Sequence, residues 1–145
     1  MNMHNTQQNE LEDIKINLKL KLAALWTSFM LLYIYVDFFH LYMPGVLEDM
    51  LLGKVFTFDI TQSFILTVLV MLTIPSLMIF LSVVLPAKIN RWTNLVVATI
   101  FIPFTLFNLV GVAWAHMYFA ASVEVAILCL VICYAWKWPR VENRN

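Results

Sequence analysis

The chain has 145 residues, of which 62% are hydrophobic and only 12% charged, with nine basic and nine acidic side chains that cancel. That balance excludes an ordinary soluble domain and makes the bilayer the natural solvent. The basic residues form no dense cluster, so no phosphate-tracking surface can be assembled and nucleic acid is excluded as a partner.

Taken in chain order, residues 1–9 are polar and read as a flexible tail. The stretch "DIKINLKLKL" alternates like a strand, but Leu11, Ile14, Leu18 and Leu22 also trace a helical stripe. The helical reading lets Lys19 and Lys21 snorkel to the headgroups where a helix enters the membrane. A helix needs roughly 20 apolar residues to cross about 30 Å of hydrocarbon. Four such stretches are present, near Leu18–Tyr42, Gln62–Leu85, Trp92–Val110 and Met117–Trp136. The first runs on to Met43, Pro44 and Gly45 with no small-residue cleavage site, so it is expected to be a retained span and not a signal peptide.

Punctuation sets the remaining boundaries. Pro44-Gly45 stops the first span, Pro86 with Lys88, Asn90 and Arg91 separates the second from the third, Gly111 loosens the third, and Pro139 stops the fourth. Pro75 and Pro103 fall inside spans and shape them. In the longest loop, Val46, Leu47, Met50 and Leu51 recur at helical spacing, with Glu48 and Asp49 where a helix dipole favours anions. A short surface helix is expected there, either a lid over the bundle or a loop that only rests on the interface.

Orientation follows from the basic residues. Lys15, Lys19, Lys21, Lys88, Arg91, Lys137, Arg140 and Arg144 fall on one side of four antiparallel crossings and only Lys54 on the other. The positive-inside rule then puts both termini in the cytoplasm. Trp114, Tyr118 and Tyr42 mark the outer boundary and Trp92, Trp136 and Trp138 the inner one. The fold expected is thus all-α, a single integral membrane four-helix bundle over the whole chain.

Ionisable groups at membrane depth are costly and mark interior sites, which singles out Asp37 and Glu124. Counted from Pro44 and His116 at about 1.5 Å per residue, both lie roughly 10–12 Å below the outer surface. Steps of four and three trace one seam through Trp26, Met30, Tyr33, Asp37 and His40. They trace a second through Asn94, Ala98, Phe101, Thr105 and Asn108, and a third through Met117, Ala120, Glu124, Ile127 and Val131. Gln62 opens the second span at the outer level. The expected pocket is therefore Trp26, Tyr33, Asp37, His40, Gln62, Asn108 and Glu124, with an inner half that is mainly hydrocarbon. Two meanings stay open at this point: a hydrogen-bonded lock that fixes helix register, or a small-ligand, ion or proton site opening outward.

Asp37 and His40 at i and i+3, with Glu124 and His116 opposite, supply ligand types for zinc or iron. Carboxylate metal centres in four-helix bundles use more carboxylates and two Glu-x-x-His pairs, so no metal and no cofactor is expected. Cys129 and Cys133 lie four apart in an apolar run and read as small hydrophobes. With glycine only at 45, 53 and 111, there is no phosphate loop and no Gly-x-Ser-x-Gly elbow.

The segments "LKLKLAALWTSFM", "YIYVDFFHLYMPG", "IPSLMIFLSVVLP" with "NRWTN", and "YAWKWP" together make the chain resemble a family of small, uncharacterised four-helix bacterial membrane proteins, a domain of unknown function. A more distant likeness to DoxX-type four-helix membrane proteins is one of size and span count only. The family resemblance implies a bacterial inner-membrane location and carries no catalytic residue to any position. Three functions compete. The first is binding of a lipid, a quinone-like amphiphile or a partner helix in the outer pocket. The second is a small proton-coupled transporter, working as a homo-oligomer through Glu124 and Asp37. An enzyme ranks last, for want of a nucleophile with an adjacent base.

Overall fold

The computed structural model describes residues 15–111 and 114–139. The order of elements is α1 (Leu18–His40), α2 (Val46–Leu51), β1 (Lys54–Val55), β2 (Phe58–Asp59), α3 (Gln62–Val84), α4 (Ala87–Phe107) and α5 (Ala115–Trp136). The tail expected at 1–9 lies outside the described residues.

Helix starts have local causes. The Asn17 side chain accepts a hydrogen bond from the Lys19 amide at 2.9 Å, and Thr61 Oγ1 accepts one from the Phe64 amide at 3.1 Å. Each satisfies an N–H that the first turn leaves orphaned. Because Asn17 caps at extended backbone angles, the helical stripe expected through "DIKINLKLKL" begins only at Leu18; Leu11 and Ile14 lie outside the described residues. Pro86 precedes α4, where its missing N–H would be unpartnered in any case. As a result Lys88, Asn90 and Arg91 form the first turns of α4 instead of a linker, and α4 stops at Phe107, short of the expected Val110.

The loop helix forms as expected, with Glu48 and Asp49 in its first turn. After it comes a hairpin that the sequence does not announce, pairing Lys54 with Asp59 and Val55 with Phe58. Its two-residue turn begins at Phe56, whose φ of 53° is left-handed. Hairpins of this length favour glycine, asparagine or aspartate there, so the sequence shows no turn signature.

Helices α1, α3 and α5 are each long and apolar enough to cross a membrane. Helix α4 stands outside that set, since Lys88, Asn90, Arg91, Thr93 and Asn94 lower the hydropathy of its first two turns. Helix α1 packs on α3 and α5, and α4 packs on α5 and more lightly on α3. Along α3 only Pro75, Met78 and Ser82 are buried, while Leu69 and Phe80 are 60% and 64% exposed. In water such a face would be an aggregation surface; hydrocarbon is its proper solvent.

One end of the molecule collects cations. Lys19 Nζ donates to the carbonyls of Val83 at 3.2 Å and Leu85 at 2.6 Å, answering the orphaned C-terminus of α3. Lys21 lies over the Tyr134 ring at 5.7 Å, and Arg91 lies over the Trp136 ring at 5.7 Å. Midway along the helices the core is aromatic: Phe29 meets Trp26, Phe101 and Tyr33 at centroid distances of 5.9, 6.1 and 6.1 Å. The Trp26 and Phe101 contacts are edge-to-face and the Tyr33 contact is tilted, arrangements that pack rings without facing their like charges.

Candidate functional site

Away from the basic end, α1, α4 and α5 enclose a cavity of about 70 Å³. Tyr33, Asp37 and His40 reach it from α1, Thr105 from α4, Asn108 from the cap of α4, Glu124 from α5 and Phe56 from the hairpin turn. The volume suits a few waters or a small polar head. Each helix contributes along the seam that its period defines, because residues three and four apart share a face.

The cavity is polar and incompletely satisfied. Asn108 Nδ2 donates to Tyr33 Oη at 3.0 Å, joining α4 to α1. Thr105 Oγ1 and His40 Nδ1 are buried and neither makes a hydrogen bond of good geometry among the described residues, Thr105 facing the Glu124 carboxyl without closing one. Glu124 is 4% exposed, and the lining residues include no lysine or arginine. A buried carboxyl without a cation is an unusual thing for a protein to keep. Asp37 differs from it. That residue lines the same cavity but is exposed, so the two carboxyls border one space without both being buried in it, as their equal depths led us to expect.

A second, larger groove of about 530 Å³ runs beside the cavity. The two share Tyr33, Asp37, His40, Phe56 and Asn108. Beyond those residues the groove is walled by apolar side chains, among them Phe38, Phe64, Val68, Phe104 and Phe107. Phe56 stacks on His40 at 5.4 Å between centroids and so roofs the junction. The covering element is therefore the hairpin turn; α2 lines the groove through Met50 alone.

Of the seven residues expected in the pocket, Tyr33, Asp37, His40, Asn108 and Glu124 come together. Gln62 is exposed at the start of α3 and borders neither space. Trp26 lies about 16 Å along α1 from Asp37, at about 1.5 Å per residue, and belongs to a different cluster. Its Nε1 donates to Asn94 Oδ1 at 2.7 Å, and Asn94 Nδ2 donates to the Asn90 carbonyl and side-chain oxygens at 2.9 and 2.6 Å. Asn90 Nδ2 in turn donates to the Ser82 carbonyl at 2.6 Å, and Ser82 Oγ to Asn94 Oδ1 at 3.4 Å. Trp26, Ser82, Asn90 and Asn94 are all 0% exposed. The inner half, expected to be mainly hydrocarbon, thus also holds a closed polar network.

Phe56 and Thr105 were not among the expected site residues. Thr105 lies on the traced α4 seam, one step from Asn108, and that spacing is signal enough; Phe56 carries none. Among the described residues no three His, Cys, Asp or Glu side chains group closely enough to hold a metal ion. His116 borders a separate surface hollow with Trp114 and Phe39 instead of the carboxyls. Cys129 and Cys133 are free and exposed.

A family of unknown function, DUF6326, matches residues 11–144 of the chain. The chain belongs to that family. The DUF6326 match spans every element that builds the cavity, the groove and the inner network. No curated protein and no solved structure matches the chain significantly, and nothing in these comparisons carries the DoxX likeness.

Proposed function

We propose that this DUF6326 protein is a multi-pass four-helix bundle of a bacterial inner membrane, with both termini cytoplasmic. In this reading it binds an amphiphile, with the polar head in the cavity beside Glu124 and the apolar tail along the adjoining groove. The observation that carries the reading is the junction of a small polar cavity with a groove of about 530 Å³ through five shared side chains. Ligand sites have this composition, mostly apolar with a few convergent polar groups. Membership of α4 in the membrane rests on its length, about 30 Å at 1.5 Å per residue, and on its packing along α5. The cytoplasmic termini rest on the cations gathered at the ends of α1, α3, α4 and α5.

The lining chemistry selects the head. Two carboxyls, an imidazole, two hydroxyls and a carboxamide line the space, and no lysine or arginine does. A hydrogen-bond-donating head, an amine or an alcohol, finds acceptors there, whereas an anionic head meets like charge. Transport to the other side gains no support, because the Phe29 and Phe101 layer and the Trp26–Asn94 network lie below the cavity, all of it at most 1% exposed. Any homo-oligomer would form through the exposed helix faces and leave this cavity inside one chain.

The test is native mass spectrometry of the detergent-extracted protein together with its thermal transition. A retained small molecule and a rise in transition temperature with dodecylamine or dodecanol, but not dodecanoate, are expected. Both are lost in Asp37→Asn with Glu124→Gln. The same retained mass and the same shift in that double variant would overturn the reading, and the same spectrum reports stoichiometry.

A further inference from the structure

At the opposite, basic end, we propose a second and independent site, in which a groove between α4 and α5 holds one acyl chain of an anionic phospholipid while Arg91 binds its phosphate. The groove measures about 400 Å³ and is walled by Leu95, Val96, Ile100 and Ile132, with Trp92 and Trp136 also lining it. The Arg91 guanidinium lies 5.7 Å from both indole rings, and so sits where two aromatic walls of the groove converge.

Three properties select the occupant. First, Arg91 Nε is buried and has no hydrogen-bond partner among the described residues, so the guanidinium is partly desolvated and its terminal Nη groups are the ones left for a ligand. Second, a guanidinium resting against indole faces keeps an edge of N–H groups for a bidentate acceptor, and phosphate fits that fork. Third, among the described residues the surrounding charge has the right sign. Lys19 and Lys21 lie at the same end as Arg91, with Lys88 one turn before it and Lys137 just past α5, while Asp37, Glu48, Asp49, Asp59 and Glu124 all belong to the other end. The apolar walls make the source a lipid: free phosphate would use Arg91 and leave the groove unfilled. Trp92 and Trp136, 54% and 64% exposed, are the side chains that membrane interfaces favour.

The full chain, extracted in mild detergent and mixed with phosphatidylglycerol and phosphatidylcholine of the same acyl chains, is examined by native mass spectrometry. About fivefold preferential retention of phosphatidylglycerol is expected, the discrimination that one basic residue at a membrane surface confers. Arg91→Gln brings the ratio near one, Arg91→Lys keeps part of it, and Asp37→Asn with Glu124→Gln leaves it unchanged. Inorganic phosphate does not displace the lipid. A ratio near one in the native protein, an unchanged ratio in Arg91→Gln, or displacement by inorganic phosphate would overturn the proposal. Should Arg91→Gln fail to fold, Ile100→Trp fills the groove from its exposed wall with Arg91 intact; retention of phosphatidylglycerol must then fall, and an undiminished level overturns the proposal equally.

Discussion

Near the basic end, Trp26, Ser82, Asn90 and Asn94 direct their polar groups at one another and are wholly buried. Toward the other end, Glu124, Thr105 and His40 surround an open volume, and two of the three hold buried atoms without partners. Both clusters put polar side chains into an apolar molecule, yet only the first is closed. A closed network ties helices together and leaves no vacancy for a ligand. An unclosed one keeps hydrogen-bonding capacity that something else must use, and this is the physical difference between a lock and a receptor.

Substitutions should divide along the same line. The largest effect is expected from Asn94→Ala, which strands the Trp26 indole N–H, the Ser82 hydroxyl and the Asn90 side-chain oxygen together; a loss of about 3 kcal/mol results from orphaning several buried groups. Unfolding in graded denaturing detergent measures it, and a loss close to zero would make the network ornamental. Trp26→Phe removes one donor and keeps the ring, so about 1 kcal/mol is expected in the same assay. Glu124→Gln should behave oppositely. Since no cation lines the cavity, stability changes by at most about 0.5 kcal/mol or rises, while the thermal response to dodecylamine disappears. If Glu124→Gln destabilised as much as Asn94→Ala, the outer cluster would be a second lock and the comparison would collapse.

The smallest stability effect is expected at the hairpin. Phe56→Gly relieves a left-handed φ of 53° and loses the stack on His40; relief and loss are each about 1 kcal/mol and nearly cancel. Release of a fluorescent alkylamine should nonetheless accelerate several-fold, because the roof over the junction is gone. An unchanged release rate would show that ligand passes elsewhere.

Much of this is legible in the amino-acid sequence. The seams traced at steps of four and three name fifteen residues, of which ten are buried, Met30, His40, Asn108 and Ile127 are half-buried, and only Asp37 is exposed. Helix geometry accounts for this, since a face repeats every few residues whatever it packs against. The short loop helix is legible for the same reason. Asn90 stands between two apolar runs, where composition suggests a linker; Pro86 instead starts α4 early enough to carry the Asn90 side chain beneath the Ser82 carbonyl. Trp26 falls in a different cluster from the one its seam suggests, because a shared face says nothing about depth along it.

What the chain by itself determined is therefore one-dimensional: apolar length, helical period, the stops at proline and glycine, and the sign of charge at each end. Those are properties of neighbours in sequence, and the backbone transmits them directly. Only the tertiary structure decided which polar groups find partners. Whether Asn94 meets Trp26, whether Thr105 Oγ1 and His40 Nδ1 go without a hydrogen bond, and whether Phe56 lands on the His40 ring depend on where separate helices and a hairpin come to rest. Hydrogen bonds are short and directional, so a shift of an ångström between elements separates a closed network from an open site.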